Sequence, residues 1–152
     1  MLRINKITSF VNIATSYLCV YKNAIAKRIG FMNMLAELKK QESLLHNPKS
    51  KLSRVDFENI IDSEFFEIGA SGKRHDRNDT INTLVNRYQN KYSKNDIWLT
   101  KDFEYREIAS NCYLVTYTLI QEKENRITRR TTIWRRDRKQ WEILYHQGTL
   151  VL

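Results

Sequence analysis

Apolar residues recur at helical spacing in the first half of the chain and at every second position after about residue 97. Met34, Leu35, Leu38, Leu44 and Leu45, set among Glu37, Lys39, Lys40, Gln41 and Glu42, have the spacing of a surface helix with one apolar stripe. Asn47-Pro48 ends it, because the residue before a proline is pushed out of the helical region. Ser53 followed by Asp56, ahead of Phe57, Ile60 and Ile61, predicts a short second helix with Ser53 as its cap. Phe65-Phe66-Glu67-Ile68-Gly69 is rich in strand formers, Ala70-Ser71-Gly72 is a turn, and Lys73-Arg74-His75 returns, which predicts a small hairpin. Asp76 or Asn78 then caps a third helix through Thr80, Ile81, Leu84, Val85 and Tyr88.

Beyond Asn95-Asp96 the period is two. Ile97 to Ile108, Cys112 to Glu122, Ile127 to Arg136 and Gln140 to Leu150 are four strand-favouring runs. The connections between them, Ala109-Ser110-Asn111, Lys123-Glu124-Asn125 and Asp137-Arg138-Lys139, are short enough to require antiparallel neighbours. Helices first and a meander after them predict an α+β fold, three helices packed on one face of a curved antiparallel sheet. Strict alternation places Trp141, Ile143, Tyr145, Gln147 and Thr149 on one face of the last strand and Glu142, Leu144, His146 and Gly148 on the other. On the strand before it, Arg130, Thr132, Trp134 and Arg136 share a face, opposite Ile127, Arg129, Thr131, Ile133 and Arg135.

The chain has 152 residues, the length of one ordinary domain, with a single Pro and four Gly, which excludes a collagenous or low-complexity chain. Its net charge of +9 would suggest a nucleic-acid partner if it were spread evenly. Residues 1–31, however, carry Arg3, Lys6, Lys22, Lys27 and Arg28 with no acid, so this segment supplies more than half of that charge. The segment has three readings: a start set too far upstream, with Met32 and Met34 just before the first clear stripe; a targeting segment, secretory or organellar; or a structured N-terminal helix. It is too polar to span a membrane. It is therefore set apart, leaving residues 32–152 as the single folded domain, cytoplasmic unless the leader is a true address. Cys19 and Cys112 match no metal or redox spacing, and Cys112 reads as a small buried hydrophobe.

Three blocks carry a family likeness: Asp62-Ser63-Glu64-Phe65-Phe66-Glu67-Ile68-Gly69-Ala70-Ser71-Gly72-Lys73-Arg74, Arg130-Thr131-Thr132-Ile133-Trp134-Arg135-Arg136, and Trp141 through Thr149. With the order of elements they resemble the nuclear transport factor 2-like superfamily, and within it the domain-of-unknown-function 4440 (SnoaL-like) group, over about residues 35–150. The resemblance implies a cone in which the sheet curls round the helices and leaves a pocket, and it implies homodimers across the sheet. It carries little about activity, because the superfamily holds isomerases, cyclases, dehydratases, adaptors and members without known activity. Its isomerases use an acidic base and an oxyanion donor inside the cone, and no Asp of this chain aligns with that base.

Within such a cone the candidate lining is Glu67, Arg130, Thr132 and Trp134 with His146 or Gln147, a partly apolar wall with a few polar groups aimed inward. His146 reads either as an acid or base or as a hydrogen-bonding residue fixing the strand. Glu67 either faces solvent or points inward as a base or a partner for Arg130. His75 reads as a solvent-facing turn residue, and His46 as a helix-end residue. The three histidines lack ligand spacing, so no metal and no cofactor is expected. Arg126, Arg129, Arg130, Arg135, Arg136, Arg138 and Lys139, with Tyr113, Tyr117 and Trp134 nearby, could stack and pair with single-stranded nucleic acid. The favoured reading of them is a solvated sheet edge with Glu122, Glu124 and Glu142 as partners. The favoured function is a binding module for a small, partly apolar ligand; the alternatives are a cofactor-free isomerase, dehydratase or hydrolase using Glu67 and His146, or a nucleic-acid or protein partner on the arginine-rich hairpin.

Overall fold

A computed structural model describes residues 2–46, 52–89 and 98–151, with side chains from Tyr21 onward. Asn47-Pro48 and Asn95-Asp96 lie outside the described residues. The chain divides into two compact units, one up to Glu37 and one from Leu38 to the C-terminus.

Helix α1 runs from Leu2 to His46, well upstream of Met34, where the apolar stripe begins. The chain's one proline is Pro48, so nothing before His46 removes a backbone donor from the helical ladder. In the second unit, Leu38, Glu42 and Leu45 of this helix are buried. Helix α2, Arg54–Ile60, starts as its sequence requires: the Ser53 side chain accepts from the Asp56 N–H while the Asp56 carboxylate accepts from the Ser53 N–H. It carries Phe57 into the core and runs directly into strand β1, Ile61–Ile68. The Gly69 to Lys73 turn, with Gly72 at a φ of +82°, which only glycine adopts freely, returns the chain as β2, Arg74–Asp76. Asp76 Oδ1 accepts from Asp79 N at 2.9 Å and caps α3, Arg77–Gln89.

Four long strands follow: β3, Trp98–Ala109; β4, Cys112–Gln121; β5, Arg126–Asp137; and β6, Gln140–Leu150. Asn111 and Asn125 take left-handed backbone at the first two turns, a conformation asparagine tolerates better than most residues. The six-stranded sheet has the order β2-β1-β6-β5-β4-β3. It is curved and unclosed, with helices against its inner face, an α+β cone. It departs from the antiparallel expectation at one place, where β1 lies parallel to β6. A meander ends with β6 running in the same direction as β1, so seating it beside β1 leaves no other arrangement.

The second departure decides the site. Ile133 pairs with Tyr145 while Trp134 pairs with Ile143, so Leu144 is an extra residue and β6 bulges there. The bulge reverses the alternation, so Ile143 and His146, assigned by parity to opposite faces, both face inward. Cys112 is half-buried rather than buried.

Candidate functional site

The inner face of β5 presents Arg126, Thr128, Arg130, Thr132, Trp134 and Arg136, alternate residues of one strand. On β6, Gly148 stands opposite Arg130, His146 opposite Thr132, and Ile143 opposite Trp134. Strand β1 extends two of these rows, placing Glu67 beside His146 and Ile61 beside Ile143. Thr80, Thr83, Leu84 and Arg87 of α3 and Leu45 and His46 of α1 complete the walls of a cavity of about 270 Å³. Its lining is graded along the strands. Ile61, Phe65 and Ile143 form one end, Glu67 and His146 lie midway, and Arg130, Arg126 and the Gly69–Ser71 turn form the other. The Trp134 and Arg130 levels are four residues apart, or about 13 Å along the strand. Arg87 belongs to the basic end, where its guanidinium lies 4.9 Å over the ring of Trp98.

Arg130 is held in place from three sides. Its Nε donates to Thr128 Oγ1 at 2.9 Å and its Nη1 to His146 Nε2 at 3.3 Å. Gly148 leaves the room for this, since a Cβ there would stand 2.8 Å from Arg130 Nη1. An arginine can only donate, so His146 Nε2 is the acceptor and the ring proton sits on Nδ1, donated to Thr132 Oγ1 at 2.9 Å. Burial, reinforced by the charges of Arg130 and Arg87, pushes the His146 pKa down to about 3. The imidazole is neutral, both its nitrogens are engaged, and it positions Arg130.

Behind this layer lies Glu42, 1% exposed, whose Oε1 accepts from Trp134 Nε1 at 2.7 Å. Burial raises its pKa to about 7, against the opposing pull of Trp134, Thr132, Tyr117 and Arg130. His46 is hydrogen-bonded to Tyr117 Oη. Burial lowers the first well below the usual histidine value and raises the second well above the usual phenol value. Neutral His46 therefore forms no ion pair with Glu42, although Nε2 comes within 4.0 Å of Oε2. Glu67 is also raised by burial, opposed by His75, Arg130 and Arg87. Burial lowers Arg130 and Arg87, both of which remain charged.

Of the candidate residues, Glu67, Arg130 and His146 line the cavity together. Thr132 and Trp134 lie one layer behind it, fully buried, the first holding His146 and the second Glu42. Gln147 is turned to the outer face, where its Oε1 accepts from Tyr145 Oη at 2.6 Å, because it follows inward-facing His146 by one residue. His75, read as solvent-facing, is paired with Glu67 across β1 and β2 and lines the cavity. Glu42, read as part of the helix's polar surface, sits in the core; its place at i+4 from Leu38 and three residues before Leu45 is the signal for that. Arg87 carries a similar signal, three residues beyond buried Leu84 on α3. Arg129 and Arg135 point outward, to Asp102 at 3.7 Å and to Glu142 and Asp62 at 2.6 and 2.7 Å, so the arginines of β5 are divided between two faces. Among the described residues no three His, Cys, Asp or Glu side chains gather to hold a metal ion.

No family model matches the chain, and no curated protein does. Solved structures do. A nuclear transport factor 2-like protein from Cytophaga hutchinsonii superposes with a TM-score of 0.55 at 15% identity, over 78% of this chain and 95% of that one. A domain-of-unknown-function 3225 protein from Pectobacterium atrosepticum gives 0.59 at 12% identity, over 80% and 91%. A protein from Parabacteroides distasonis, provisionally called a ketosteroid isomerase, gives 0.55 at 13% identity, over 75% and 84%. At such identities the likeness is one of fold, and it does not show the narrower SnoaL-like group.

Proposed function

Starting from a chain with the nuclear transport factor 2-like fold, we propose that its cavity binds a small amphiphilic anion, apolar end inward and acidic group at the basic end. The grading of the lining carries this reading: Ile61, Phe65 and Ile143 at one end, Arg130, Arg126 and Arg87 at the other. A carboxylate there would meet planar donors suited to it. At about 30 Å³ for each water displaced, the cavity suits a ligand of roughly ten non-hydrogen atoms, at the small end of ligand pockets. Arg130 is oriented in advance by His146, Thr128 and the space left at Gly148, which lowers the ordering cost of binding.

Binding is favoured over catalysis by the state of His146, whose two nitrogens are committed to Arg130 and Thr132. Of Glu67 and His146, that leaves Glu67 as the candidate base, with His75 beside it on the cavity wall. Calorimetry with 3-phenylpropionate and its neutral amide tests the reading. The acid should bind at least about tenfold more tightly, a difference of ~1.4 kcal/mol, and Arg130→Ala should abolish the preference. Equal affinity for acid and amide would overturn it. Turnover in a substrate screen that disappears in Glu67→Gln would install the enzyme reading instead.

A further inference from the structure

We propose that the first unit's helix docks on the surface of an anionic phospholipid bilayer. From Tyr21 to Asn33 every residue of α1 is exposed. Tyr21, Ile25, Ile29 and Met32 are 66%, 43%, 55% and 56% exposed, large apolar side chains that a folded chain ordinarily covers in some way. At about 100° per residue these four fall within an arc of about 80°. Lys22 lies just beyond one border of that arc and Arg28 just beyond the other, while Asn23, Lys27 and Gly30 lie well away from it. An apolar stripe edged by long basic side chains matches a bilayer interface, where the stripe sinks among acyl chains and the cations reach up to the phosphates.

Charge decides between the occupants. Residues 1–31 hold five basic residues and no acid, so a second copy laid along this stretch would bring cations against cations with no carboxylate within it to offset them. An anionic lipid surface offers the complementary charge along the helix's length. No helix among the described residues is long and apolar enough to cross a membrane, so the contact is with the surface.

Co-sedimentation of the full chain with phospholipid vesicles tests this. Vesicles of phosphatidylcholine mixed with phosphatidylglycerol should bind the protein at least about tenfold better than phosphatidylcholine alone, and salt should weaken the binding. Ile25→Glu with Ile29→Glu should abolish it, and because both residues are exposed the thermal midpoint should stay put. Lys22→Gln with Arg28→Gln should lower it severalfold without touching the stripe. No binding, equal binding to both vesicles, or binding indifferent to either double variant overturns the proposal. So does a self-association, seen by sedimentation velocity, that the Ile25 and Ile29 changes dissolve.

Discussion

Glu42 and His146, two groups buried within one core, bend stability with pH in opposite senses. Burial raises Glu42 to about 7, above its unfolded value, so its contribution is full below the unfolded carboxylate range and is lost as pH rises through 7. His146, pushed down by burial to about 3, contributes fully above the unfolded histidine range, and that contribution is lost as pH falls through 3. Glu42→Gln keeps an acceptor for Trp134 Nε1 and removes one of the two titrations. Relative to the unaltered chain the variant should gain roughly 3 kcal/mol on going from about pH 4 to about pH 8, measured by denaturant unfolding. An offset that stays constant with pH would show that Glu42 titrates alike in the folded and unfolded chains, so that burial does not raise it. Neither residue's state was legible from its neighbours in sequence, because desolvation is set by what packs over a side chain. Glu42 owes its raised value to burial, and the strongest pull against it comes from Trp134, ninety-two residues away.

The helices and strands are legible because each rests on a local signal. Ser53 and Asp56 announce α2, and the three short turns announce the meander. The cap also gives a measurable quantity: Ser53→Ala removes the side-chain half of the reciprocal bond, leaving the backbone N–H to the Asp56 carboxylate, and should cost about 1 kcal/mol, seen as a fall of about 3–5 °C in the thermal midpoint. A fall within experimental scatter would mean that Phe57, seated in the core, holds the helix without its cap. What local signals lack is the bulge at Leu144. Alternation carries no mark of an inserted residue, so every face assignment on one side of it inverts. Glu67, Arg130 and His146 came to lie on the cavity wall. Gln147 did not, because the inward face at that end of β6 belongs to His146 and Gly148. Gly148 itself had no reason to stand out until Arg130 was seen lying across it.

Two compact units divide the chain after Glu37, and residues Tyr21 to Asn33 are exposed throughout. A chain beginning at Met32 should therefore keep its thermal midpoint, by differential scanning calorimetry, to within about 5 °C, or roughly 1 kcal/mol. A larger fall would show that the upstream helix supports the rest. The parallel pairing of β1 with β6 bears on a different property, the order in which a ribosome delivers the structure. Both α2 and the β1–β2 hairpin are synthesised well before residues 140–150, the partner that satisfies the free edge of β1. Closing that loop carries the entropy of some eighty intervening residues, the kind of distant contact that slows folding. Until β6 arrives, the nascent chain carries an unpaired strand edge containing Phe65 and Phe66, open to pairing with any other extended chain it meets.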